Sequence, residues 1–218
     1  MGTHFLTALP SILNFRHLCI ILVVLNQIFS TLSHTGDDIL QFKLQTSNIV
    51  PLIIPIMPQH ELSIVYKHTT VKCGNKINGY EMMEAPVEVT WPAKDDFYYT
   101  LFMIGPDSRV REQPIDRNWL HWLVTNIKGN DVGNGDEIAE YCGSLAGYEI
   151  GLHRLIYVAF ENPSGKKVKL DLKRIDEEAP YEKRTKFDLL NFTKQYGMHK
   201  PVAANFAVLD LEFRLPGQ

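Results

Sequence analysis

The 218-residue chain is poor in cysteine and has no dense run of charge. Its three cysteines form no C-x-x-C pair and no H-E-x-x-H segment occurs, so the common zinc-binding patterns are missing. No run of Lys and Arg exceeds two residues, and aromatic residues do not alternate with them, so nucleic-acid binding has no support. No G-x-S-x-G segment is present either. We therefore expect no metal, no cofactor, no nucleic-acid partner and no enzymatic activity.

Acidic residues are absent before Asp37, and Arg16 is the only Lys or Arg in that stretch. An apolar run follows Arg16 at 18–25. It is too short to cross a bilayer and is typical of the apolar core of a secretory signal peptide.

Small residues after that run mark a cleavage position, because Thr31 and Ser33 lie three and one positions before it. The pattern predicts a signal peptide over 1–33 and a secreted single domain over 34–218, with no membrane span in the mature chain. The long polar stretch before Arg16 is atypical. An uncleaved anchor and a cytoplasmic protein are therefore the alternatives.

Short strand-like segments dominate the rest of the chain. The stretch 97–104 is continuously apolar and predicts a strand buried on both faces, whereas 49–58 contains three prolines and predicts irregular structure. Capping-box spacing and a following glycine predict one helix over 186–196. Together these segments predict a mainly β sandwich with few helices. The other predicted strands are 61–66, 87–91, 118–126, 151–160, 168–172 and 207–213.

Two histidines lie inside apolar strand-like runs, His121 in 118–126 and His153 in 151–160. Because side chains alternate along a strand, every second residue is predicted to share a face. In the first run the two predicted faces carry Trp119, His121 and Leu123 on one side and Leu120, Trp122 and Val124 on the other. In the second run one face is predicted to carry His153, Leu155 and Tyr157. An isolated imidazole on an apolar face is more often a hydrogen-bonded core residue than a ligand-binding one. The alternative is that the two rings converge on a polar pocket.

Four sequence blocks place these histidines in a recognisable order. The first is G-P-D-S-R at 105–109, followed by N-W-L-H-W-L-V-T-N at 118–126, Y-C-G-S at 141–144 and G-L-H-R at 151–154. The set resembles the phosphatidylethanolamine-binding protein (PEBP) family over residues 45–213. Within that family the chain is similar to secreted insect members described as antennal or odorant-binding-like.

The resemblance implies a two-sheet antiparallel sandwich with a small surface pocket for phosphate or phosphorylethanolamine-like anions. His121 and His153 match the two histidines of that pocket. Pro106 and Asp107 match positions of its D-P-D block, and Gly143 matches a glycine on its rim. The aspartate has a structural role in this interpretation, pairing with Arg154 or Arg111.

Several positions depart from the family pattern within the same pocket. The first aspartate of the family block is Gly105 in this chain, so a carboxylate that would orient a histidine is missing. The G-P-P rim is replaced by 145–147, and Arg109 adds a cation. We therefore expect the pocket to retain its two histidines and to have a partly altered rim.

The resemblance favours a non-enzymatic binder of a small anion or a phospholipid head group. The alternative is a secreted modulator of a protein partner, such as a protease or kinase inhibitor, that does not depend on the pocket. Asn191 begins the chain's one N-glycosylation sequon, which would matter only in the secretory pathway. Whether Cys73 and Cys142 pair is left open by the sequence.

Overall fold

The computed structural model describes residues 20, 36–107, 117–143, 151–176 and 178–211. Nearly all of the described residues lie in one compact unit, Asp37–Gln218. Among the described residues, no helix is both long enough and apolar enough to span a bilayer.

Nine strands and two α-helices form the described framework. Helix α1 covers residues 36–46 and helix α2 covers Leu189–Gln195. The strands are β1 His60–Glu61, β2 Ser63–Val65, β3 Asn75–Asn78, β4 Glu88–Thr90, β5 Tyr98–Gly105, β6 Trp119–Lys128, β7 Asp136–Ala139, β8 Gly151–Glu161 and β9 Lys200–Leu211.

The described strands form two sheets, which confirms the predicted mainly β, two-sheet architecture. Seven strands make the large sheet, in the order β1-β9-β8-β5-β6-β7, with β3 also paired to β9. Its central pairs are antiparallel, while β1 and β3 run parallel to β9. Strands β2 and β4 form the small sheet.

Both faces of the large sheet are covered by apolar side chains. One face packs against the small sheet, through Ile64 and Val89. The other packs against the helices, through Leu40 and Leu44 of α1 and Phe192 of α2. This double coverage explains why β5 is almost wholly buried, as its continuous apolar sequence predicts.

Several predicted elements differ from the structure. The strand predicted over 61–66 is divided between β1 and β2, which belong to different sheets. The stretch 168–172 contains no strand. The backbone N–H of Val168 donates instead to Oδ1 of the buried Asn126, at 2.8 Å, so a side chain replaces the strand partner. The predicted helix begins only at Leu189, because Asp188 is its N-cap and accepts from the N–H of Asn191. Gly197, with φ of 70°, follows the end of the helix as predicted.

Strand β6 contains a β-bulge at His121. Met103 of β5 is opposite Trp122 and Ile104 is opposite Leu120, so His121 is an extra residue with no partner across the pair. Leu120 and Leu123 consequently pack in the same cluster on the helix side, whereas Trp122 and Val124 pack on the other side. Trp122 and Val124 therefore share a face as predicted, but the predicted assignment of Leu120 to that face is wrong.

Strand β8 is regular around its histidine. His153 is opposite Leu209, and the pairing with β9 continues without a shift as far as Ala159. Leu155 and Tyr157 pack in one cluster. The predicted face shared by His153, Leu155 and Tyr157 is thus confirmed by the regular pleat.

Candidate functional site

The end of β5 lies beside both histidines. A Cβ added to Gly105 would lie 2.8 Å from Nε2 of His121, while the carbonyl oxygen of Asp107 lies 2.9 Å from Nδ1 of His153. Two residues of chain span at most about 7 Å, so one short segment, Gly105–Asp107, lies against both imidazoles. All three residues of this segment are buried.

The ring of His121 is held by the segment that follows β7. Its Nδ1 lies 2.7 Å from the carbonyl oxygen of Cys142, and the N–H of Cys142 donates to the carbonyl of His121 at 2.8 Å. A carbonyl oxygen can only accept, so Nδ1 carries a proton. In the neutral ring, Nε2 is therefore the hydrogen-bond acceptor, and it points toward Gly105.

Burial makes His121 neutral at physiological pH. Loss of solvation lowers the pKa of its imidazole from 6.5 to about 4. Backbone hydrogen bonds to Cys142 and Gly143 oppose this shift, and the positive charge of Arg184 adds to it. The ring therefore becomes a cation near neutral pH only when a negative group arrives beside it.

His153 is supported through an ion pair. Asp107, whose carbonyl accepts from the ring, is 2% exposed. Arg154 donates from Nη2 to Oδ1 at 2.6 Å and from Nε to Oδ2 at 2.7 Å, and its own backbone N–H donates to Oδ2 at 2.9 Å. The resemblance implied a pairing of Asp107 with Arg154 or Arg111, and this bidentate pair confirms the first alternative. It occupies both carboxylate oxygens of Asp107.

The same arginine connects the site to the end of helix α1. Nη1 of Arg154 donates to the carbonyl oxygen of Ser47 at 2.5 Å. The loop that follows α1 is therefore anchored to the aspartate that orients His153.

The glycine at position 105 has a steric explanation. The ring of His121 lies across the position that a side chain at 105 would occupy, with Nε2 and Cδ2 at 2.8 and 3.3 Å from an added Cβ. An aspartate could not fit there while the ring kept this orientation. The observed orientation of the His121 ring therefore requires a residue without a side chain at position 105, where the family pattern has an aspartate.

Gly143 approaches protein backbone closely. An added Cβ would lie against the carbonyl oxygen of Met83 and 2.6 Å from that of Met82. The lack of a side chain at Gly143 therefore allows the 141–143 segment to pack on the Met82–Met83 backbone. This packing fixes the position of the Cys142 carbonyl, which holds His121.

Arg184 was not singled out by the sequence, yet it belongs to the site. Arg184 is 1% exposed. Nη1 donates to the carbonyl oxygens of Leu120 and His121, at 3.1 and 3.3 Å, and Nη2 donates to that of Asp176 at 2.9 Å. These bonds satisfy the backbone of the bulge and place a buried positive charge beside His121.

A cluster of three tyrosine hydroxyls supports the neighbouring segment and was also missed. The hydroxyl of Tyr66 lies 2.5 Å from that of Tyr157 and 3.0 Å from that of Tyr141. Tyr141 donates in turn to the carbonyl of Met82 at 2.8 Å. Burial raises the pKa of all three phenols, so they remain neutral. Only the adjacency of Tyr141 to Cys142 could have pointed to this cluster.

Some predicted features of the pocket lie outside the described residues, namely Arg109, Arg111 and the replaced rim at 145–147. Cys73 and Cys142 are not joined by a disulfide bond. Asn191 of the sequon is exposed on α2.

Comparison with known proteins places this architecture in a class. A phosphatidylethanolamine-binding protein from Plasmodium vivax has the same fold, with a TM-score of 0.61 at 22% identity over 78% of this chain and 96% of that one. A carboxypeptidase Y inhibitor, solved with its cognate proteinase, also has a TM-score of 0.61, at 17% identity over 83% of this chain and 97% of that one. No family model matches the chain.

The sequence relatives identify the family. A Drosophila melanogaster protein named "Putative odorant-binding protein A5" is 32% identical over 79% of this chain and 81% of its own length. The "26 kDa secreted antigen" of Toxocara canis is 28% identical over 74% of this chain, which spans 60% of that antigen. This chain belongs to the phosphatidylethanolamine-binding protein family.

Proposed function

We propose that the protein binds a small anion, such as phosphate or the head group of a phospholipid, between His121 and His153. Both rings lie against the Gly105–Asp107 segment, and each is fixed through Nδ1 to a backbone carbonyl. Fixed rings lose little conformational freedom when a ligand arrives. This pair of oriented imidazoles is the observation that carries the proposal.

The charges around the rings favour an anion. Asp107 is neutralised by Arg154, so its carboxylate contributes little net repulsion. The guanidinium of Arg184 adds a positive charge and is bonded to backbone carbonyls. A buried charge of this kind is screened less by salt than a surface charge, and so it attracts an anion more effectively.

Proton movement accompanies binding in this proposal. Neutral His121 presents an acceptor at Nε2, which cannot donate to an anionic oxygen. Either the ring takes up a proton, or a monoprotonated phosphate donates its own O–H to Nε2. In both cases binding strengthens as the pH falls from 8 toward 6, because the ring gains a proton more readily and the phosphate monoester dianion takes up one proton near pH 6 to become the monoanion.

Calorimetry with phosphorylethanolamine and with inorganic phosphate tests this function. We expect replacement of His121 or His153 by alanine to weaken binding about tenfold or more, since hydrogen bonds to charged groups contribute roughly 1.5–3 kcal/mol. His68→Ala is the matched control, because His68 is exposed and outside the site. If the two site variants bind the ligands as tightly as the His68→Ala control does, the proposal is contradicted. Binding of head group but not phosphate would distinguish the two ligand sources.

We further propose that the chain is secreted after removal of residues 1–33. The sequence pattern of Arg16, the apolar run and the small residues supports this location, as does the relative named as a secreted antigen. Mass spectrometry of culture medium should find a mature chain beginning at His34. A full-length intracellular protein that retains Met1 would overturn it.

Modulation of a protein partner stays a prediction of the family resemblance. A pull-down with the wild type and with the double variant His121→Ala/His153→Ala separates the two functions. A partner retained by both proteins would favour modulation that is independent of the pocket.

A further inference from the structure

A concave site lies between the small sheet and the loop that joins β6 to β7. Its volume is about 470 Å³, within the range of small-molecule sites. It is lined by the stretch that leads into and includes β4, by Trp122 and Val124 of β6, and by residues of the 130–137 region. We call it the β4–β6 groove.

The floor of the groove is apolar and well packed. Val89, Trp122 and Val124 are 7%, 8% and 2% exposed. The indole ring of Trp122 is fixed, because its Nε1 donates to Oε1 of Glu137 at 2.9 Å and the ring makes a T-shaped contact with Tyr141. A fixed aromatic ring beside valines offers a surface for an apolar body and for a cation.

The polar groups of the groove are negative. Glu88, Asp131 and Glu137 contribute carboxylates, and no Lys, Arg or His is found among the described residues that line it. Glu88 and Asp131 are exposed. Arg174 approaches Glu137 from outside the lining but also pairs with Glu140, so one cation serves two carboxylates. The groove therefore keeps a negative rim above an apolar floor.

We propose that the β4–β6 groove binds an organic ammonium ion that carries an apolar or aromatic body. The apolar body packs on the floor, and the ammonium group lies near the carboxylates and the Trp122 ring. The charge of this ligand is opposite to that favoured by the histidine site, although Trp122 directly follows His121 in β6. The proposal is thus independent of the proposed anion function.

Three probes of similar shape test the proposal on the full chain: 2-phenylethylammonium, 2-phenylethanol and 3-phenylpropanoate. Binding is followed by the NMR signal of the Trp122 indole N–H, which is assigned with Trp122→Phe. We expect the ammonium probe to bind at least fivefold more tightly than the alcohol, and the carboxylate probe to bind most weakly. Raising the salt concentration should weaken the binding of the ammonium probe and should not weaken the binding of the other two probes.

Two variants and one control identify the source of this preference. Glu88→Gln and Asp131→Asn each remove an exposed carboxylate from the rim. Each should lower the affinity for the ammonium probe about two- to fivefold. Glu182→Gln removes an exposed carboxylate elsewhere and should leave the affinity unchanged.

The proposal is overturned if the three probes bind equally, or if Glu182→Gln changes affinity as much as Glu88→Gln. It is also overturned if the ammonium probe shifts the histidine signals and leaves Trp122 unchanged. His121→Ala should weaken anion binding about tenfold or more and keep the response of Trp122 to the ammonium probe. This variant separates failure of one site from failure of the other.

Discussion

His121 and His153 occupy similar sequences but very different strand positions. Each lies in an apolar strand and has its Nδ1 within 2.7–2.9 Å of a backbone carbonyl. His153 belongs to a regular strand, and its acceptor residue is fixed by the Asp107–Arg154 pair. His121 belongs to a bulge, and its ring fills the space beside Gly105.

The difference shows two ways of positioning a histidine. An ion pair orients His153, whereas backbone geometry and the lack of a side chain orient His121. We therefore expect variants of the ion pair and variants of the glycine to affect different histidines. The following predictions test that distinction, beginning with the largest effect.

The largest effect is expected at the ion pair. Asp107→Ala leaves the largely buried Arg154 without its carboxylate partner and should lower the free energy of unfolding by about 3–5 kcal/mol. Urea unfolding measures this loss. Asp210→Ala is the control, since the Lys76–Asp210 pair is exposed and should contribute less than about 1 kcal/mol. Similar losses of unfolding free energy in both variants would show that the Asp107–Arg154 pair stabilises the fold no more than an exposed ion pair does.

Acid should weaken the fold through His121. Its folded pKa of about 4 is below the usual 6.5, so the unfolded chain binds more protons between these values. The free energy of unfolding should therefore fall as pH decreases from 6.5 to 4, by up to about 3 kcal/mol. His121→Asn should flatten this part of the pH profile in urea titrations. An unchanged slope would place the acid sensitivity elsewhere.

A methyl group at Gly105 should disturb His121 and leave His153 in place. An added Cβ is only 2.8 Å from Nε2, so Gly105→Ala must displace the ring and should cost about 1–3 kcal/mol. Gly133→Ala is the control, because its added Cβ would meet only Asp131, at 4.0 Å. NMR should show a changed His121 ring signal in the first variant. A change confined to His153 would contradict the distinction between the two histidines.

The sequence predicted the regular parts of this structure better than the irregular ones. Alternation around His153 was interpreted correctly because β8 keeps its pleat. The same alternation placed Leu120 on the wrong face of β6, because a bulge at His121 adds one residue and changes which side chains share a face. Nothing in the local sequence marks this bulge. Its carbonyls are satisfied by Arg184, which lies 63 residues from His121 in the chain.

Long-range hydrogen bonds account for other differences. The stretch 168–172 alternates like a strand, yet the N–H of Val168 is taken by Asn126. The tyrosine cluster joins Tyr66 to Tyr157, which are 91 positions apart. By contrast, the motif that places Asp107 near Arg154 allowed their pairing to be expected. A known spatial pattern supplied information that periodicity lacks.

The most direct test of the two-histidine anion site is an NMR titration of the ring nitrogens with phosphorylethanolamine at pH 6.5. We predict that the signals of His121 and His153 move together with one binding constant. The signal of His121 should change toward that of a hydrogen-bonded or protonated Nε2, and that of exposed His68 should stay unchanged. If neither buried histidine responds at millimolar ligand, the two rings are core residues and the account of an anion site is wrong.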